Sequence, residues 1–143
     1  MNSGDQIPTR PRGITAFGVF LLWGAGTASL AGITLVWPRT ALDHIWSLNP
    51  RAHAQLAPLG SVAGLGLLIV AVALGTAGVG WFKRRLWAWW LAVAIMAAQI
   101  VGDLVNLFLG RVIEGVIGIA AAGALLIYLF RAPVRAIFRI TTP

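Results

Sequence analysis

The chain has 143 residues, of which 59% are apolar and 10% are charged, with a formal net charge of +7 and no cysteine. So few charged groups cannot cover a water-facing surface, since soluble domains carry about 25%, and the absence of cysteine excludes disulfides, thiol chemistry and thiolate metal sites. The charge is not that of a nucleic-acid-binding module, because the basic residues cluster at the ends of apolar segments and no soluble basic domain exists to carry them.

A bilayer span takes about 20 apolar residues, so the chain has room for four spans and little else. Residues 1–13 are polar, with Pro8 and Pro11, and read as a short tail. The first span is expected at 14–37. Arg10 and Arg12 followed by Ser29-Leu30-Ala31 also permit a signal-peptide reading, but the apolar run continues to Trp37, which is long for a signal peptide. Gly24, Ala28 and Gly32 recur every four residues and offer a smooth strip for close helix approach. Trp23, within this span, is expected to pack or to face lipid.

Residues 38–58 form the longest polar connection. Thr40-Ala41-Leu42-Asp43 resembles a capping box, with Asp where Glu or Gln is usual. It predicts a short interfacial helix over 40–48 that places Trp46 at headgroup depth and is stopped by Asn49-Pro50. The second span is expected at 59–82, with small-residue pairs at Gly60/Gly64 and Ala71/Gly75. Lys83-Arg84-Arg85 makes a tight basic turn into the third span, 86–109. Gly110-Arg111 leaves so short a turn that this span and the fourth, 112–130, must form an antiparallel hairpin. In the tail 131–143, Arg131, Arg135 and Arg139 fall on one helical face, while Val134, Ile137 and Phe138 lie largely on the other. This predicts a basic amphipathic helix on the membrane surface over 133–140.

The expectation is therefore an all-α integral membrane protein, a single four-transmembrane-helix bundle. Lys and Arg number eight on one side (Arg10, Arg12, Lys83, Arg84, Arg85, Arg131, Arg135, Arg139) and three on the other (Arg39, Arg51, Arg111). The positive-inside rule puts both termini in the cytoplasm of a cell membrane. Trp37 and Trp46 then mark the outer interface, and Trp81, Trp87, Trp89 and Trp90 the inner one. Lys83, Arg84, Arg85, Arg131, Arg135 and Arg139 are candidate contacts for acidic lipid headgroups.

Gln99, Asp103 and Asn106 share one face of the third span. Asp103 lies about 8 Å and Asn106 about 13 Å outward of its midpoint, at 1.5 Å per residue. Reflection about Gly110 sets Asn106 opposite Glu114, and Asp103 opposite Ile117 and Gly118. Gly115, Gly118 and Ala122 thin the facing helix there. Arg111 can reach Glu114 or fold back toward Asp103. Gln99, Asp103, Asn106, Arg111 and Glu114 thus form the candidate polar cluster. It would either fasten helices through hydrogen bonds worth about 0.6–2 kcal/mol each or serve a ligand, ion or proton.

His44 and His53 have no metal-ligand spacing, and no span contains histidine for a haem, so no metal or cofactor is expected. Phosphate loops, Ser-His-Asp triads and HExxH are absent.

Arg10-Pro11-Arg12-Gly13-Ile14-Thr15 opens the first span, Trp87-Ala88-Trp89-Trp90 the third, Gly102-Asp103-Leu104-Val105-Asn106 follows, and Pro133-Val134-Arg135 comes after the fourth. In these stretches the chain resembles a loosely defined group of small prokaryotic four-span proteins of unknown function. The resemblance implies the topology and brings no activity.

Three functional classes follow. The first is a non-enzymatic accessory or membrane-structural protein that packs against itself or a membrane partner. The second is an oligomeric small transporter or channel coupling cations or protons through Asp103 with Glu114. The third is a lipid-acting enzyme, with Asp103, Glu114, His44 and His53 its only candidates. A dry, paired Asp103 favours the first, and a water-accessible path to it the second.

Overall fold

The computed structural model describes residues 12–139, with the side chain of Arg139 excepted. The polar tail up to Pro11, including Arg10, and the last four residues lie outside the described residues. Among the described residues six α-helices follow one another: α1 (Arg12–Val36), α2 (Pro50–Leu56), α3 (Gly60–Phe82), α4 (Leu86–Phe108), α5 (Val112–Phe130) and α6 (Ala132–Arg139). A 3-10 helix at Ala41–Leu48 and a 3-10 turn at Ala57–Leu59 flank α2, and there is no strand among the described residues. The long helices α1, α3, α4 and α5 coincide with the expected spans to within two residues at each end. Each is long and apolar enough to cross a membrane. Only 17–22% of each apolar window is buried within the protein, so most of the apolar surface faces outward. That distribution is consistent with a multi-pass membrane protein.

The bundle is built from two antiparallel pairs, α1 with α3 and α4 with α5, and α3 and α4 touch less extensively. Both α3 and α4 end in the same hydrogen-bonded device. After α4, Gly110 takes a positive φ of 82°. Its N–H donates to Leu107 O at 3.1 Å and that of Arg111 donates to Asn106 O at 2.9 Å. After α3 the left-handed position is held by Arg84 (φ 53°), with Arg84 N–H to Trp81 O and Arg85 N–H to Gly80 O, both at 3.0 Å. A non-glycine residue there costs about 1–2 kcal/mol.

Gly32 and Gly64 bring α1 and α3 into backbone contact. A Cβ on either would fall 2.9 Å from the other's carbonyl oxygen. Gly24 of the expected strip faces Leu74, and Gly75 approaches Ala25. Gly60, by contrast, starts α3 in open space, so the Gly60/Gly64 pair does not act as a single contact face.

The main core lies at the end of the bundle that holds the Lys83–Arg85 turn, called here the basic end. Ile14, Phe17, Leu21, Ala77, Trp81, Trp89, Ala92, Met96, Leu129, Val134 and Phe138 form one buried cluster. Trp81 is fully buried. Its ring lies between Phe17 and Phe138, each centroid 4.6 Å away, and its indole N–H donates to Ile14 O at 2.8 Å. Trp89 donates to Leu129 O at 3.0 Å. Four residues beyond Leu129 is Pro133, which has no N–H, so the indole supplies the donor that the helix cannot.

The structure corrects or extends several expectations. Trp81 and Trp89 are core residues rather than interface markers, whereas Trp87 and Trp90 are exposed. The apolar face of α6 is docked onto the bundle, with Val134 and Phe138 buried in the core. Asn49-Pro50 starts a helix as well as ending one: Asn49 Oδ1 accepts from Ala52 N–H at 3.1 Å and Pro50 sits in the first turn, the arrangement proline favours. The 40–48 segment is helical as expected, but of 3-10 type. Its capping box does not form, since the Thr40 side chain makes no cap bond and Asp43 Oδ2 accepts from Arg39 N–H at 2.7 Å.

Trp81→Ala should lower stability by about 3–5 kcal/mol, as large aromatic-to-alanine changes in cores do. Trp23→Ala, at a site 72% exposed, should change it by less than about 0.5 kcal/mol. Gly64→Ala should cost about 1–3 kcal/mol through overpacking, while Gly66→Ala, which meets open space, should be neutral or mildly stabilising. Denaturation in detergent micelles, followed by near-UV circular dichroism, reads all four.

Candidate functional site

The five predicted polar residues divide into two groups at the end of the bundle opposite the basic turn. The first group is within the α4–α5 pair. Asp103 is 5% exposed, and its Oδ2 accepts from Gln99 Nε2 at 3.1 Å, one helical turn earlier. The carboxylate lies against Gly118 of α5, where an added Cβ would land on it, and a Cβ on Gly115 would fall 2.8 Å from the Asp103 carbonyl oxygen. Of the small residues expected to thin α5, Gly115 and Gly118 receive Asp103. Gln99 is itself exposed, so one hydrogen bond separates the buried carboxylate from the protein surface.

The second group centres on Arg111, the residue that closes the α4–α5 turn. Its Nε lies 2.8 Å from Glu114 Oε2, three residues on. Nη1 donates to Asn106 Oδ1 at 3.2 Å, and Nη2 donates to Gln55 Oε1 at 2.8 Å. One guanidinium fork thus joins the end of α4, the start of α5 and the end of α2. Planar donors pointing in several directions suit arginine to such a junction. The expected Arg111–Glu114 pair is present, and Arg111 turns to Asn106 and Gln55 where a fold-back to Asp103 was the other expectation. Asp103 and Glu114 consequently belong to separate networks.

Gln55 was not anticipated. It belongs to α2, and the cue to it was the Asn49 cap with Pro50 behind it, which positions Gln55 near the last turn. A second unanticipated contact holds the connection to α1. Trp46 donates from Nε1 to Thr34 Oγ1 at 3.0 Å, and the hydroxyl is set by bonding back to Leu30 O and Ala31 O. His53 packs its ring on Trp46 at 4.9 Å, so it is part of this anchor, and His44 is exposed. A cavity of about 410 Å³ opens at the turn, lined by Arg51, Gly110, Arg111, Val112, Ile113 and Glu114. With Arg111 already engaged three ways, its remaining cation is the exposed Arg51.

The six candidate headgroup cations are all at the other end. Lys83, Arg84, Arg85, Arg131 and Arg135 are exposed, and the side chain of Arg139 lies outside the described residues. Among the described residues the carboxylates Asp43, Asp103 and Glu114 are all at or toward the loop end. The charge of the molecule is thus polarised along the bundle.

Gly118→Ala should displace the Asp103 carboxylate, break its bond to Gln99 and cost about 1–3 kcal/mol. Gly123→Ala, which meets open space, should not. Asp103→Asn retains an acceptor for Gln99 and should change stability by less than about 1 kcal/mol, and Glu114→Gln by no more than about 1 kcal/mol, as for surface ion pairs. Thermal unfolding in detergent separates these cases. Compared with known proteins, the chain matches no family model, no curated protein and no solved structure.

Proposed function

We propose that the protein is a non-enzymatic integral membrane protein, inserted with both termini in the cytoplasm, that serves as an interaction or structural subunit. The closed setting of Asp103 carries this reading. Its carboxylate is buried against Gly118 of the facing helix and bonded to Gln99 of its own helix, so it is held inside the α4–α5 contact, where a small residue lets the two helices approach closely. Glu114 is paired with Arg111 at the turn, which leaves Asp103 without a second carboxylate for shared coupling. Gln55, Asn106, Arg111 and Glu114 are taken up in joining α2, α4 and α5.

Association is supported by glycines on outward faces. Gly26 of α1, Gly66 of α3 and Gly102 of α4 have no neighbouring atom within 4 Å of a Cβ position, so a helix from another copy or another membrane protein could approach their backbones. The excess of Lys and Arg at the basic end supports the cytoplasmic placement of the termini and attraction to acidic headgroups. A small cation or proton transporter built on Asp103 is the second reading, favoured by the exposure of Gln99 beside the carboxylate.

Affinity purification of the full chain in mild detergent should recover a stoichiometric membrane partner or a second copy. Gly66→Leu or Gly102→Leu should reduce that recovery at least severalfold, with melting unchanged, and Asp103→Asn should leave it intact. Proton or cation flux in proteoliposomes that disappears with Asp103→Asn would replace this proposal with the transport reading.

A further inference from the structure

The basic end carries a cleft of about 290 Å³ between the start of α4, the end of α5 and α6, lined by Leu86, Trp89, Trp90, Phe130, Arg135 and Phe138. Trp89 and Phe138 form its buried floor, and Leu86, Trp90 and Phe130 are exposed walls. The floor is rigid: Trp89 is tied to Leu129 O and meets Trp90 and Phe130 edge-on at 4.8 and 5.3 Å. Arg135 is the one charged residue of the lining. Lys83, Arg85 and Arg131 add positive charge at the same end, and the described carboxylates Asp43, Asp103 and Glu114 are toward the other.

We propose that this cleft binds one anionic phospholipid. The guanidinium of Arg135 holds the phosphate, since its planar fork matches phosphate oxygens, and the upper acyl region lies along Leu86, Trp90 and Phe130. A free phosphate would leave those three side chains uncovered. A zwitterionic lipid would bring its own cationic group among these cations. The proposal rests on the membrane reading of the four helices, but on neither their orientation nor a protein partner.

The test is native mass spectrometry of the delipidated full chain in neutral detergent, with equimolar phosphatidylglycerol and phosphatidylcholine of matched chains. One phosphatidylglycerol should be retained per chain with about tenfold preference. Arg135→Gln should reduce its retention about fivefold, the effect of one cation at an anionic lipid surface. Arg135→Lys should keep most of it, and Arg85→Gln, exposed but outside the cleft, should change it less than twofold. Trp90→Ala should weaken retention with melting unchanged. Equal retention of the two lipids, or undiminished phosphatidylglycerol binding in Arg135→Gln, overturns the proposal. So does displacement of the lipid by soluble glycerol phosphate at the same concentration, which would mark a phosphate site only. None of these outcomes depends on whether a partner co-purifies or ions are transported, so the interaction role stands or falls separately.

Discussion

Trp81 occupies the point where α1, α3 and the terminal helix meet. Its indole is bonded to the backbone of α1 at Ile14, and its ring is held by Phe17 of α1 and Phe138 of α6. In a bilayer there is no strong hydrophobic drive for apolar helices to associate, because lipid chains are as apolar as leucine. Cohesion must come from packing contact and from polar groups with nowhere else to bond. Trp81 supplies both, and Trp89 repeats the device between α4 and α5. Together they make the basic end the rigid end of the bundle.

The opposite end is assembled differently. It has no aromatic core, and its order comes from Arg111, which gathers α2, α4 and α5, and from Trp46, which ties the connection to α1. These are exposed or half-buried contacts, individually worth little. The loop end should therefore open more readily than the basic end, in the sense that local stability follows burial.

The two ends also differ in charge, and this bears on function. Cations gather around an aromatic cleft at one end, while the described carboxylates are bonded or buried toward the other. Such polarity is what the proposed membrane orientation and lipid contact both draw on. Asp103 is buried in the α4–α5 contact, where Gly118 leaves room for it.

The sequence alone determined the four long helices, the two short turns and the antiparallel closure of α4 on α5. It did so because apolar length and glycine or basic turn residues are local signals. Reflection about Gly110 even set Asp103 against Gly118, since so short a turn permits little other register. Only the tertiary structure decided which tryptophans are buried, that α1 packs chiefly on α3, that α6 docks its apolar face into the core, and that Arg111 bonds to Gln55. The physical reason is that these helices are apolar on nearly every face, so core-facing and outward-facing positions look alike along the chain. Side chains of the same type at Trp81 and Trp90 meet different fates because of what lies across from them, and that is set by residues distant in sequence, Ile14 and Phe138 among them.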